Sequence, residues 1–145
     1  MRIDIETDAT LAETEILLRC RAVDESVAAI VASLRMHDRR LTGTSDGETC
    51  VVTAGEVLYI ESVDGHCFAY TNTTVLEMPL RLVELEERLT DASFVRVAKN
   101  CLVNLNRIAG LRPYVGGRML AHLDNDEEIV ISRKYAGEIK CLLGV

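Results

Sequence analysis

The chain has 145 residues, 48% of them hydrophobic, with 16 Lys and Arg against 23 Asp and Glu and a net charge of −7. That length supports one well-buried core and excludes two large domains, while the acidic balance excludes a protein that coats nucleic acid through bulk positive charge. No run approaches the roughly 20 apolar residues that span a bilayer, and MRIDIETD carries acids where a secretory leader needs an apolar core, so the chain is expected to be cytosolic.

Residues 2–7 (RIDIET) alternate apolar and polar, and ILLRCR at 16–21 is a short apolar run; both read as strands joined by a turn or linker. Asp24 is a good helix N-cap, Glu25 suits a first turn, and Val27, Ala28, Ile30, Val31 and Leu34 recur at helical spacing. The pattern predicts a small β-β-α extension over residues 1–40, with its helix ending near Met36 and the charged HDRR at 37–40 as a joint.

From Leu41 the texture is that of strands. TSDGE is a turn signal between LTG and TCVVT, and VLYIESV and HCFAYTN flank Asp64-Gly65 as an antiparallel hairpin. TVLEMP follows, then a short amphipathic helix marked by Leu82, Leu85, Glu86 and Leu89. FVRV, CLVNL, RIAGLRPYV, RMLAHL and EIVIS return to β, with turns at Gly116-Gly117 and DNDE. A last helix starts after Ser132, which can cap it, with Tyr135, Ile139, Leu142 and Leu143 on its apolar side. The expected fold is mainly β with short helices, an α+β body over residues 41–145 behind the extension.

Between Ala92 and Leu123 the chain holds Arg96, Lys99, Arg107, Arg112 and Arg118 but no Asp or Glu. At the chain's average, about five acids belong in such a window, so their absence is what a surface facing a polyanion would need. With no Trp, two Phe and four Tyr, the stacking platform of a single-strand binder is missing, and duplex DNA is preferred over RNA.

Five scattered cysteines, Cys20, Cys50, Cys67, Cys101 and Cys141, form no Cys-x-x-Cys pair and read as buried free thiols. His66 and Cys67 are strand neighbours that point to opposite faces, so no metal site is expected there. Cys101 lies two residues from Lys99, a setting for a low-pKa redox thiol, but its apolar surroundings favour plain burial. The acidic pairs Glu86-Glu87 and Glu127-Glu128 adjoin no nucleophile or glycine-rich phosphate loop and read as solvated faces, so neither an enzyme nor a cofactor is expected. Asn104, between Val103 and Leu105, reads as a structural residue bonding backbone at a strand end.

Four segments in order, VLYIESVDGHCFAYT, the LVELEERL helix, FVRVAKNCLVNLNRI and a closing L-x-N-x-E-x-I-x-I-S-R-K-Y, resemble the LytTR DNA-binding domain of bacterial transcription regulators. The resemblance implies an elongated β structure that sends loops into successive major grooves. It places base- or phosphate-reading positions at His66, at Lys99 and Asn100, and at Arg133, with Lys134 on phosphate. Arg96 and Arg118 are phosphate contacts or outward-facing strand residues. Arg and Lys suit guanine, and Asn suits adenine, in such a role. Promoter DNA is the implied partner, engaged by a homodimer or by copies on direct repeats. The extension would pair subunits or dock a partner such as a small inhibitory membrane protein. The competing reading is a LytTR-like interaction module or antagonist that does not bind DNA.

Overall fold

The structure, a computed structural model, describes residues 1–144 apart from the side chains of Met36 and Asp38. Residues 1–24 form turns and extended coil with no strand, so the two strands expected at 2–7 and 16–21 are not made. The physical reason is visible in their exposure: Ile3, Ile5, Ile16 and Leu17 meet no apolar face, and an alternating pattern without a partner edge gains nothing by extending. The helix of the extension does form. In α1 (Glu25–Asp38) the Asp24 carboxylate accepts from the Val27 N–H, which with a side-chain bond from Ser26 holds its pKa below the ordinary range.

Strand β1 (Arg40–Ser45) turns through Asp46-Gly47 into β2 (Glu48–Thr53), and β3 (Tyr59–Val63) turns through Asp64-Gly65 into β4 (His66–Tyr70). All four turn residues have positive φ, which is why Asp-Gly occupies both sites. Next come β5 (Val75–Met78), α2 (Leu82–Leu89), β6 (Phe94–Ala98), β7 (Cys101–Asn104), β8 (Ile108–Pro113), β9 (Met119–Leu123), β10 (Glu128–Ile131) and α3 (Arg133–Leu143). They build a seven-stranded sheet in the order β2-β1-β5-β4-β3-β7-β6 and a three-stranded sheet in the order β10-β9-β8.

Two apolar cores result. Ile60, Leu76, Leu102 and Phe94 pack with Leu85 and Leu89 of α2, while Leu58, Val97 and Val103 pack with Leu123, Ile131 and Ile139 beneath α3. Strand β7 separates them, Leu102 facing one core and Cys101 and Val103 the other. Every residue of β7 is buried, as a strand covered on both faces must be. Asn104, fully buried at its end, donates from Nδ2 to the Val57 carbonyl at 2.9 Å and accepts from the Asn106 N–H at 3.0 Å, the structural role expected of it.

Several expectations need correction. In α3 the buried residues are Ala136 and Ile139, whereas Leu142 is exposed; and Ser132 occupies the N-cap without a capping side-chain bond. Cys67 and Cys101 are buried as expected, but Cys20 and Cys141 are exposed and Cys50 is half-buried. Burial pushes the Cys101 thiol up to about 12, so it is a packed thiol and not a low-pKa sensor.

Candidate nucleic-acid interface

The acid-free window does not fold into one basic face. Acids from elsewhere in the chain meet three of its arginines: Arg96 with Glu86 at 2.9 Å, Arg107 with Asp124 at 2.8 Å and Arg112 with Glu128 at 3.1 Å. Arg107 also donates to the carbonyls of Gly55 and Glu56 and to Asn72, so it is a clamp between loops. Lys99 and Arg118 are left without a carboxylate partner among the described residues.

What the fold does gather is a run of four turns. The β3–β4 hairpin tip adjoins the β6–β7 turn: the Ser62 N–H donates to the Asn100 carbonyl at 2.8 Å, and Asn100 Nδ2 lies 3.5 Å from the Ser62 carbonyl. The β6–β7 turn adjoins the start of α3, because the Ser132 N–H donates to the Val97 carbonyl at 2.8 Å. The start of α3 adjoins the β8–β9 turn, where the stem of Arg133 crosses Gly117 so closely that a Cβ there would sit 3.1 Å from Arg133 Cδ. His66, Lys99, Asn100, Arg133, Lys134 and Arg118 are thereby brought into one connected set.

Within the set the side chains differ. Lys99, Asn100, Arg133 and Lys134 are exposed, and the first turn of α3 contains no acid. The N–H groups of Arg133 and Lys134 belong to the first helical turn, whose donors have no intrahelical acceptor, which adds positive potential beside two cationic side chains. Lys134 Nζ lies 5.3 Å from the Tyr135 ring centre. Arg118 donates to the Val115 carbonyl at 2.9 Å and lies over the Tyr114 ring at 4.8 Å, so it is tied to its own turn.

Arg96 sits below this surface. Its guanidinium spans Glu86 of α2 and the carbonyl of Lys99 at 2.5 Å, which makes it the support of the turn that carries Lys99. His66 Nδ1 is 2.9 Å from Glu77, and the exposed Asp64 stands at the same tip, so this hairpin presents more negative charge than the other turns. Reasoning from sequence missed Glu86 as the anchor of Arg96 and Glu127 as the acceptor of the Tyr59 hydroxyl at 2.9 Å. Burial first, and that bond second, raise the Tyr59 pKa well above its ordinary value. Neither partner carries a local signal, because helix and strand spacing says nothing about which distant element lies opposite.

The fold is that of a mainly β domain with short helices. A family profile described as the LytTr DNA-binding domain matches residues 47–144, and the chain belongs to this family. A solved LytTr DNA-binding domain from Bacillus cereus superposes with a TM-score of 0.69 at 26% identity, covering 74% of this chain and 98% of that one. The sensory transduction protein LytT of Bacillus anthracis is 30% identical over 95 residues, 66% of this chain and 39% of its own length. The transcriptional regulatory protein YpdB of Escherichia coli K12 is 27% identical over 113 residues, 77% of this chain and 46% of its own. The chain thus spans less than half the length of the LytT and YpdB relatives. No described helix is long and apolar enough to cross a membrane.

Proposed function

We propose that this chain is a sequence-specific transcription regulator that reads the major grooves of duplex promoter DNA through its turns. The observation that carries the reading is the coupling of the Lys99–Asn100 turn to the first turn of α3, which presents Arg133 and Lys134. A rigid pair of turns can enter a groove with less ordering cost than a flexible basic tail, and Arg133 can read a base edge while Lys134 and the helix N-terminus hold phosphate. Lys99 and Asn100 make the second contact, His66 and Arg118 flank it, and Arg96 acts from beneath. Membership of a DNA-binding domain family and the name of one relative, a transcriptional regulatory protein, support this role. The protein works in the cytoplasm, as a homodimer on repeated half-sites, and needs neither cofactor nor catalytic chemistry.

Titration of labelled promoter duplex at two salt concentrations tests the reading. Binding that weakens steeply as salt rises supports it, since each phosphate contact releases counterions. A second reading, an interaction module or antagonist without DNA binding, is favoured by the net charge of −7 and by the carboxylates that neutralise Arg96, Arg107 and Arg112. No binding at low salt selects it. In either case the exposed Ile16, Leu17 and Leu18 of the extension suit docking to a protein partner, an inhibitory membrane protein among them.

A further inference from the structure

The seven-stranded sheet ends at β2, which among the described residues pairs with β1 alone. Sheets ordinarily guard such an edge with a proline, a bulge, a charge or a covering element. Two of the other outer strands here are guarded: β8 has a register shift between Ile108 and Gly110 and ends in Pro113, and β6 is flanked by the start of α3 through the Ser132–Val97 bond. Strand β2 has no proline, bulge or charge between Thr49 and Thr53, and Val51 at its middle is 60% exposed.

Backbone parity shows which groups that edge offers. The Asp46-Gly47 turn makes Ser45 and Glu48 the first hydrogen-bonded pair of the hairpin, so the peptide groups of Glu48, Cys50 and Val52 face β1 and those of Thr49, Val51 and Thr53 face away. Two bonds agree with this phase. The Ala54 N–H reaches the Arg39 carbonyl at 2.8 Å, whereas the Thr53 N–H, on the outer side, is met by the Glu56 carboxylate at 3.1 Å.

We propose that β2 pairs antiparallel with β2 of a second copy about a two-fold axis at Val51. Val51 is the outward-facing residue nearest the strand's middle, so this register gives the longest overlap. It sets the two Val51 residues opposite each other with reciprocal N–H to C=O bonds. Thr49 faces Thr53 of the second copy in the same bonded register, its N–H donating to the Thr53 carbonyl and its carbonyl taking the Thr53 N–H from the Glu56 carboxylate. Glu48 falls opposite Ala54, so no like charges meet, and paired valines and threonines are contacts that antiparallel sheets favour. Strands β2 and β6 are opposite edges of the sheet, so the joined sheet keeps the two Lys99 turns at its far ends. The inference deepens the homodimer reading above and gives it a surface in the folded body instead of the extension.

Sedimentation equilibrium of the full chain tests it. The wild type should be a dimer in the micromolar range, Val51→Lys a monomer with unchanged circular dichroism, and Val51→Thr a dimer again. In a Cys20→Ser, Cys141→Ser background, Val52→Cys would stand opposite Cys50 of the second copy in a non-hydrogen-bonded pair, about 4.5 Å between Cα atoms and within disulfide reach. Mild oxidation should therefore yield a covalent dimer. A monomeric wild type, a dimeric Val51→Lys or a missing cross-link overturns the pairing. Binding of Val51→Lys to a duplex with a single half-site is measured in parallel: its retention leaves the DNA reading intact whatever the mass, and its absence in both proteins rejects that reading without touching the dimer.

Discussion

The Arg133 side chain runs across Gly117, so near that a Cβ at residue 117 would stand 3.1 Å from Cδ and 3.3 Å from Cγ of the arginine. Gly117 has a φ of +78°, a conformation that other residues adopt with strain. Gly117→Ala should therefore lower stability by about 1 kcal/mol or more and displace Arg133 as well, weakening DNA binding. Gly116→Ala is the control, since its φ of +73° brings the same strain but its Cβ would meet nothing within 4 Å. Urea unfolding should register both substitutions, and fluorescence anisotropy with promoter duplex only the first.

Arg133 and Lys134 are neighbours with different expected signatures. Arg133→Ala should cost about 1 to 3 kcal/mol on the preferred site and relax base preference at one position, as loss of a base-edge contact does. Lys134→Gln should weaken binding by a similar factor on every sequence and lower the salt slope by about 1, as loss of a phosphate contact does. Binding to a set of single-base variants at several salt concentrations separates the two, and equal behaviour of both substitutions would remove the assignment.

Arg96 supports the Lys99 turn through two acceptors, the Glu86 carboxylate and the Lys99 carbonyl. Arg96→Lys keeps the charge but loses the forked geometry that spans both. It should cost about 2 kcal/mol of stability, in the range for hydrogen bonds to charged groups, and reduce DNA affinity. A salt slope equal to the wild type's would mark Arg96 as a positioning residue, whereas a shallower slope would make it a phosphate contact.

Burial raises the Cys101 thiol from an ordinary 9.0 to about 12. The thiol stays protonated in the folded state while the unfolded chain ionises, so stability is full below about pH 9 and falls as pH rises toward 12. Cys101→Val should flatten that decline in urea titrations at pH 8 to 10. A thiol reagent at pH 8 should label the exposed Cys20 and Cys141 long before Cys101.

Much of the body was legible because its signals are local. Asp-Gly at 46–47 and 64–65 requires positive φ, the alternation around each pair sets which face is buried, and the all-apolar start of β7 announces a strand covered on both sides. Asp24 announced its helix through a bond only three residues long. The strands expected at 2–7 and 16–21 failed because periodicity records what a segment could bury, not whether a surface exists to receive it. The basic window misled for a related reason: counting charges along the chain assigns no partners, and Glu86, Asp124 and Glu128 arrive from other elements.

By itself the sequence determined the strands and turns after residue 40, the helix starts and the family of this protein, because these depend on dihedral preference, side-chain period and motif order within short stretches of chain. Only the tertiary structure decided that Lys99, Asn100, Arg133 and Lys134 stand exposed while Arg96 and Arg107 are tied down by carboxylates. Charge pairing and backbone bonds such as that from Ser132 to Val97 are made through space, between residues that no local pattern connects.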